Sequence, residues 1–354
     1  MSWRDTLAGE MPNLSGKRMT VGFDGFIDRI VRPLRPADVS GEPAKPFATI
    51  REFGEYLIDK AEKSCSIELH EQARQLGGNM PFLSRAAGGL GISVNCIGML
   101  GANGTVDPLF RNMPCALHSL ASPGESTCME FDDGKILLSS DCTLPDDAWK
   151  LVERATEGRA ERFIRESDLL ALVNWSELSF AHGLWDRTLS CLQEVSSDKT
   201  RFAFFDLCDI ARRSADECDA VLRLIGRFTE YRTTVLSLNE NEARLAGKRL
   251  LEGETDCREI AHQLRRKYAI DEIIVHTIHE TILETPRGIV TRNTDFVEHP
   301  RISTGAGDNF NGASCAALLM GLSDEERVEF ANDFAHFYVA NAINPTFEQM
   351  VSVK

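Results

Sequence analysis

Ser303-Thr304-Gly305-Ala306-Gly307-Asp308-Asn309-Phe310-Asn311-Gly312-Ala313 is the stretch on which the fold of this chain turns. Three of the four residues from Gly305 to Asp308 carry no bulk beyond a methyl group, and an apolar run from Ala313 to Leu322 follows directly. So bare a backbone admits a ligand to close range, and the N–H groups that open the following helix form an anion site. Gly305, Ala306 and Gly307 are therefore the candidate anion hole, with one carboxylate, Asp308, at its mouth. An acid is a poor ligand for phosphate. The role that fits is a general base, taking the proton of a hydroxyl that attacks a phosphoryl group. The plainer alternative is a glycine-rich turn with an aspartate cap.

The 354 residues suffice for one large α/β domain or two ordinary ones, and 43% hydrophobic with 26% charged residues is the balance of a soluble globular protein. A net charge of −15 argues against a nucleic-acid partner, because phosphate backbones are bound by clustered Lys and Arg. Ten cysteines are scattered from Cys65 to Cys315 with no C-x-x-C pair, which suits reduced thiols and neither a disulfide framework nor a structural zinc site. The opening Met-Ser-Trp-Arg-Asp-Thr has no signal pattern and no apolar run approaches a membrane span, so a cytoplasmic protein with no membrane partner is expected.

Met19 to Phe23 reads as a short buried strand, with Asp24 and Asp28 in the loop after it. Phe47 to Lys63 has helical spacing, Ser66 to Glu71 alternates like a strand, and a helix runs from the Gly77-Gly78 pair to about Gly88, ahead of a strand Ser93 to Gly98. Thr127–Phe131 and Lys135–Ser139 alternate on either side of Asp132-Asp133-Gly134, a hairpin turn signal. Beyond Asp168 the apolar runs Leu169–Val173, Phe202–Phe205, Thr234–Leu238 and Glu272–His276 alternate with helical segments, the pattern of parallel βαβ units. One domain over residues 1–354 is expected, with lid strands within about 26–36, 64–76 and 126–140.

Residues 302–310, Ile-Ser-Thr-Gly-Ala-Gly-Asp-Asn-Phe, resemble the second signature of the ribokinase-like sugar kinases, the PfkB family, whose usual form is Asp-Thr-x-Gly-Ala-Gly-Asp-x-Phe. Agreement holds from Gly305 to Asp308 and at Phe310; Ile302 and Ser303 depart from it. Gly77-Gly78-Asn79, followed by Ala87-Gly88-Gly89-Leu90-Gly91 and then by Ile97-Gly98-Met99-Leu100-Gly101, is similar to the family's first signature, in which the paired glycines contact the sugar. Phe82 stands where that signature has Asn, and Asn79 is the candidate to supply the missing polar contact. The resemblance implies an α/β ribokinase-like three-layer core with a mainly parallel sheet and a small projecting β-sheet lid. It also implies an ATP-dependent kinase acting on a hydroxymethyl group of a sugar or sugar-like substrate.

Further roles follow from the resemblance. Asp28 would accept hydrogen bonds from substrate hydroxyls, with Asp24 a competitor for that role. Asn239 and Glu242 sit at the family's Asn-x-x-Glu motif, which organises Mg²⁺ through water, and Glu242 is the candidate metal-associated residue; read alone, the pair is also close to a capping box. Asp206 closes the strand Phe202–Phe205 at the end where open α/β sheets bind ligands, and joins the phosphate–metal candidates. His276-Thr277-Ile278 lies at the family's Thr-x-Gly, so Thr277 would border the nucleotide and Ile278 would crowd that wall. Ile302 lacks the oxygen that the family's Asp gives to a potassium ion, so dependence on potassium is not expected. A homodimer through the lid is the oligomer to test. The chain has no G-x-x-x-x-G-K-[ST] and no early G-x-G-x-x-G. Two other functions stay open: a nucleoside kinase of the same fold, and a sugar-binding or regulatory protein with a degenerate nucleotide pocket.

Overall fold

The computed structural model describes residues 2–352 apart from 9, 11, 37–43, 141, 146 and 299. In chain order its strands are β1 (Arg18–Phe23), β2 (Phe26–Pro33), β3 (Leu69–Gly77), β4 (Ser93–Gly98), β5 (Ala116–Ser119), β6 (Gly124–Phe131), β7 (Gly134–Ser139), β8 (Leu169–Leu172), β9 (Phe202–Asp206), β10 (Thr233–Asn239), β11 (Glu272–His276), β12 (Glu280–Thr285) and β13 (Gly288–Asn293). Nine of them form one sheet in the order β13-β12-β11-β10-β9-β8-β1-β4-β5, and four form a smaller sheet, β3-β2-β6-β7. The large sheet is parallel from β11 to β5, and the pairs β11–β12 and β12–β13 are antiparallel.

Unbroken apolar runs become the central strands because helices cover both faces. Phe205 and Leu236 face one buried cluster, together with Trp185 and Phe228. Their neighbours Phe204 and Val235 face the other, with Phe310, Phe330 and Phe334. Parallel strands put their carboxyl ends on one edge. Along that edge, from β1 through β8, β9 and β10 to β11, stand Asp24, Asn174, Asp206, Asn239 and His276. The fold assembles the site by this alignment.

In the small sheet, Asp132 and Asp133 turn β6 into β7, with Phe131 opposite Gly134. β2 pairs with β3 and β6 so that Gly77, Phe26 and Gly124 stand in one row across the sheet. The expected helix over 47–63 is shorter, Ile50–Asp59, capped where the Thr49 hydroxyl accepts from the Glu52 N–H at 3.1 Å. Phe47 lies before that cap and packs on Phe53, ring centroids 5.2 Å apart. With Val31, Met129 and Phe131 these rings form a separate core, so the helix covers an apolar part of the small sheet with residues of the same chain. The strand expected over 66–71 instead spans Leu69–Gly77. Leu69 to Arg74 are exposed throughout, as on an edge strand open on both faces, which leaves no period-two signal to read. No helix among the described residues is long and apolar enough to cross a membrane.

Candidate active site

Gly305 caps the helix Ala306–Met320 in the left-handed conformation, φ 78°. The Phe82 ring lies directly beneath it: a Cβ on Gly305 would come within 2.8 Å of that ring. Asn309 locks the turn from inside, its backbone and side-chain N–H groups both donating to the Gly305 carbonyl, at 2.9 and 2.7 Å. His276 stands under the next glycine, 3.2 Å from where a Gly307 Cβ would sit, and its ring packs on Phe310. Asp308 occupies the first turn of this helix. Burial, followed by the charges of Asp206, Asp24 and Asp28, pushes its carboxyl well above the usual range, while a hydrogen bond from the Asn79 side chain pulls the other way. The structure thus brings Asp308, Asn79 and three further aspartates together from five places in the sequence.

Asp24 is fully buried, and its oxygens accept from the N–H groups of Asn79 (2.7 Å) and Met80 (2.8 Å) and from the Asn174 amide (2.7 Å). It therefore caps the helix Asn79–Gly89, and its oxygens are committed to the protein. Asp28, on β2, accepts a short hydrogen bond from the Ser126 hydroxyl, and burial raises its pKa. The glycine pair is what lets both carboxylates approach: a Cβ on Gly77 would run into Asp28, and one on Gly78 would lie 2.6 Å from Asp24. Lys135, on β7 of the lid, reaches down to donate to the Thr304 hydroxyl at 2.7 Å. The small sheet thus touches the anion loop itself.

At the carboxyl end of β9, Asp206 accepts from the Cys208 N–H at 2.7 Å and from the Asn311 amide at 2.6 Å, and Ser237 donates to Asn311 at 2.7 Å. Asn311 follows Asp308 by three residues, so one helical face joins the two aspartates. Burial pushes Asp206 up to about 6. Asn239 and Glu242 form the capping box, with reciprocal bonds of 2.9 and 3.0 Å and a third between their side chains at 2.6 Å. Glu242 is nonetheless pushed well up, by burial and then by Asp206. The Thr277 hydroxyl accepts from the His279 and Glu280 N–H groups and fixes the turn into β12.

A cavity of about 470 Å³ opens beside these groups, lined by Asn239, His276, Thr277, Ile278, Phe296, Ala306, Gly307 and Phe310, among others. Ile278 is one of its walls, with its side chain 63% exposed. Nothing in the sequence marks Asn174 or Ser237 as part of the site, and the motif stretches that hold Asn311 and His276 assign those two side chains no role, since each acts through a partner far along the chain.

So many buried acids make the ligand-free protein sensitive to pH. Asp24 is pushed up to about 7 by burial and Asp206 to about 6, from ordinary values near 3.8. A raised carboxyl contributes stability that is complete below about pH 4 and is lost as pH climbs through the raised value. His276, lowered to about 4 by burial, opposes this only below its ordinary 6.5. Between pH 6 and 8 the acids outweigh what is left of the histidine's opposition, and stability should fall by about 1 kcal/mol, or a degree or two of Tm. Thermal melts at the two pH values check this; a higher Tm at pH 8 would contradict it.

A parallel sheet whose strand ends meet a glycine-opened helix under a β lid is the build of the ribokinase-like kinases. Solved structures agree: ribokinase from Thermotoga maritima superimposes with a TM-score of 0.62 at 17% identity, covering 94% of this chain and 98% of the other. Adenosine kinase from Sinorhizobium meliloti gives 0.65 at 15% identity, with 94% and 97% covered. A ketohexokinase of Haloferax volcanii is 27% identical over 355 residues, spanning 95% of this chain and 90% of its own length. The prokaryotic ketohexokinase family model matches residues 5–354, and the chain belongs to that family. It is a carbohydrate kinase, a phosphotransferase with an alcohol acceptor.

Proposed function

We propose that this kinase transfers the γ-phosphoryl group of ATP to a hydroxymethyl group of a ketohexose. The observation that supports the reading most is Asp308, at the mouth of the glycine-opened helix and within range of the charges of Asp28 and Asp206. Asp28, steadied by Ser126, accepts hydrogen bonds from ring hydroxyls of the sugar, and Gly77 and Gly78 let the sugar sit close to the backbone. Asn79 orients the Asp308 carboxyl. Asp308 takes the hydroxymethyl proton as that oxygen bonds to phosphorus and the bond to ADP breaks; its raised pKa makes it a stronger base than a free carboxylate. The amides of Gly305, Ala306 and Gly307 receive the developing charge.

Asp206 and Glu242 suit Mg²⁺. They are buried, raised in pKa, and hydrogen-bonded only to neutral groups. Among the described residues no three His, Cys, Asp or Glu groups form a metal cage, so these two would hold the ion through water, with the phosphates as its other ligands. When bound, Mg²⁺ neutralises charge on the phosphate oxygens. The apolar cavity walled by Ile278, Phe296 and Phe310 takes the base of ATP, with Asn239 and Thr277 beside it.

The test is ADP release from Mg-ATP with fructose, ribose and adenosine, repeated in sodium, potassium and a bulky organic cation at fixed ionic strength. Fructose should turn over best, with rates that differ little among the cations, since Ile302 brings no side-chain oxygen to an ion. Preference for adenosine, or no turnover of any ketohexose, would overturn the proposal.

A further inference from the structure

Arg85 takes no part in the reaction as described above, yet it braces the loop on which that reaction depends. It lies on the helix Asn79–Gly89, three residues after Phe82, and its Nε is buried with no hydrogen-bond partner. Its guanidinium is set over the Phe82 ring, 5.1 Å from the centroid, and that ring is the one packed beneath Gly305. The same guanidinium lies against the hydroxyl of Tyr338, which donates to the Thr304 carbonyl at 2.9 Å. Phe82 and Tyr338 are both almost fully buried, at 3% and 1% exposed, so neither can relax far if its neighbour is removed.

One charged group thus steadies two side chains that touch two successive residues, Thr304 and Gly305, immediately before the anion hole. A guanidinium is always charged, stacks on aromatic rings and sharpens a hydroxyl donor beside it, and no other side chain does all three. We propose that Arg85 is a positioning residue for phosphoryl transfer. Through Phe82 and Tyr338 it fixes the Thr304–Gly305 turn, so that the amides of Gly305 to Gly307 stay aimed at the group in transfer. The inference rests on the kinase reading given above, and one of its measurements does not need the sugar.

Arg85→Met should lower kcat at least about tenfold while the KM for fructose shifts less than about twofold, because a misaimed loop costs the transition state and spares the ground state. Arg85→Lys should recover part of the loss. Tyr338→Phe should act in the same direction, and the double variant Arg85→Met/Tyr338→Phe should be no worse than the poorer single one, as for residues acting as a unit. In ligand-free protein, hydrogen exchange of peptides covering 303–310 should quicken in Arg85→Met, while peptides covering β8 and β9 stay as in the parent. Unchanged exchange at 303–310 with unchanged kcat would overturn the proposal, as would exchange that quickens throughout the molecule. If the parent protein turns over no ketohexose, the substrate reading has failed, and the exchange result alone decides the role of Arg85.

Discussion

Asp308→Asn is expected to leave sugar binding intact and to slow turnover by at least about a hundredfold, the range of a positioned general base. Asparagine keeps the shape of the side chain and a hydrogen bond with Asn79, but accepts no proton at neutral pH. The same change should raise the melting temperature of the ligand-free protein near pH 8. It removes one of a group of mutually repelling buried carboxyls, since Asp308 is pushed up by burial and by Asp206, Asp24 and Asp28. Slower turnover combined with greater stability separates a catalytic role from a structural one. Near-normal turnover in the purified variant would remove Asp308 from the mechanism.

The second large effect belongs to the sugar side. Asp28→Ala should weaken fructose binding on the order of a hundredfold or more, because hydrogen bonds to a charged acceptor are worth ~1.5–3 kcal/mol each and two hydroxyls would lose theirs. Binding of ATP should hardly change, as Asp28 is on the lid strand β2 and no residue of the small sheet lines the cavity proposed for the nucleotide. Calorimetric titration with each ligand separately is the measurement. Equal weakening of both would show that the variant is misfolded or that the sugar binds elsewhere; Asp28→Asn, which keeps the contact with Ser126, distinguishes the two.

Much of the fold was legible because its signals are local. Gly305 to Asp308 with the apolar run behind them announce a helix opened by glycine, and the runs at Phe202–Phe205 and Glu272–His276 have the short, unalternating form of covered strands. Asp132-Asp133-Gly134 likewise specifies its hairpin from within four residues of chain. The failures have physical reasons too. β3 shows water both of its faces over Leu69 to Arg74, so no face selects apolar residues. Phe47 belongs to the small core without belonging to the helix that completes it. In the site, Asp24 and Asp28 looked like rivals, because loop position and residue type were the same for both. What tells them apart is Asn174, 150 residues away from Asp24, whose amide takes up one of its oxygens. Arg85 and Tyr338 were invisible for the same reason, as their meaning lies in contacts across three helices.

The row formed by Gly77, Phe26 and Gly124 marks where the small sheet leaves the body of the protein, and it sets a scale for any swing of the lid. Both glycines pack so closely that a methyl group would collide, Gly77 with Asp28 and Gly124 with the Phe26 ring. Asp28 stands two residues beyond it on β2, a lever arm of roughly 7 Å. A rotation of about 20° about the row would move the Asp28 backbone by only ~2 Å, while the hairpin tip at Asp132-Asp133 would sweep more than twice as far. Asp28 therefore rides the short arm of that lever, and Lys135, with its bond to Thr304, rides the long one.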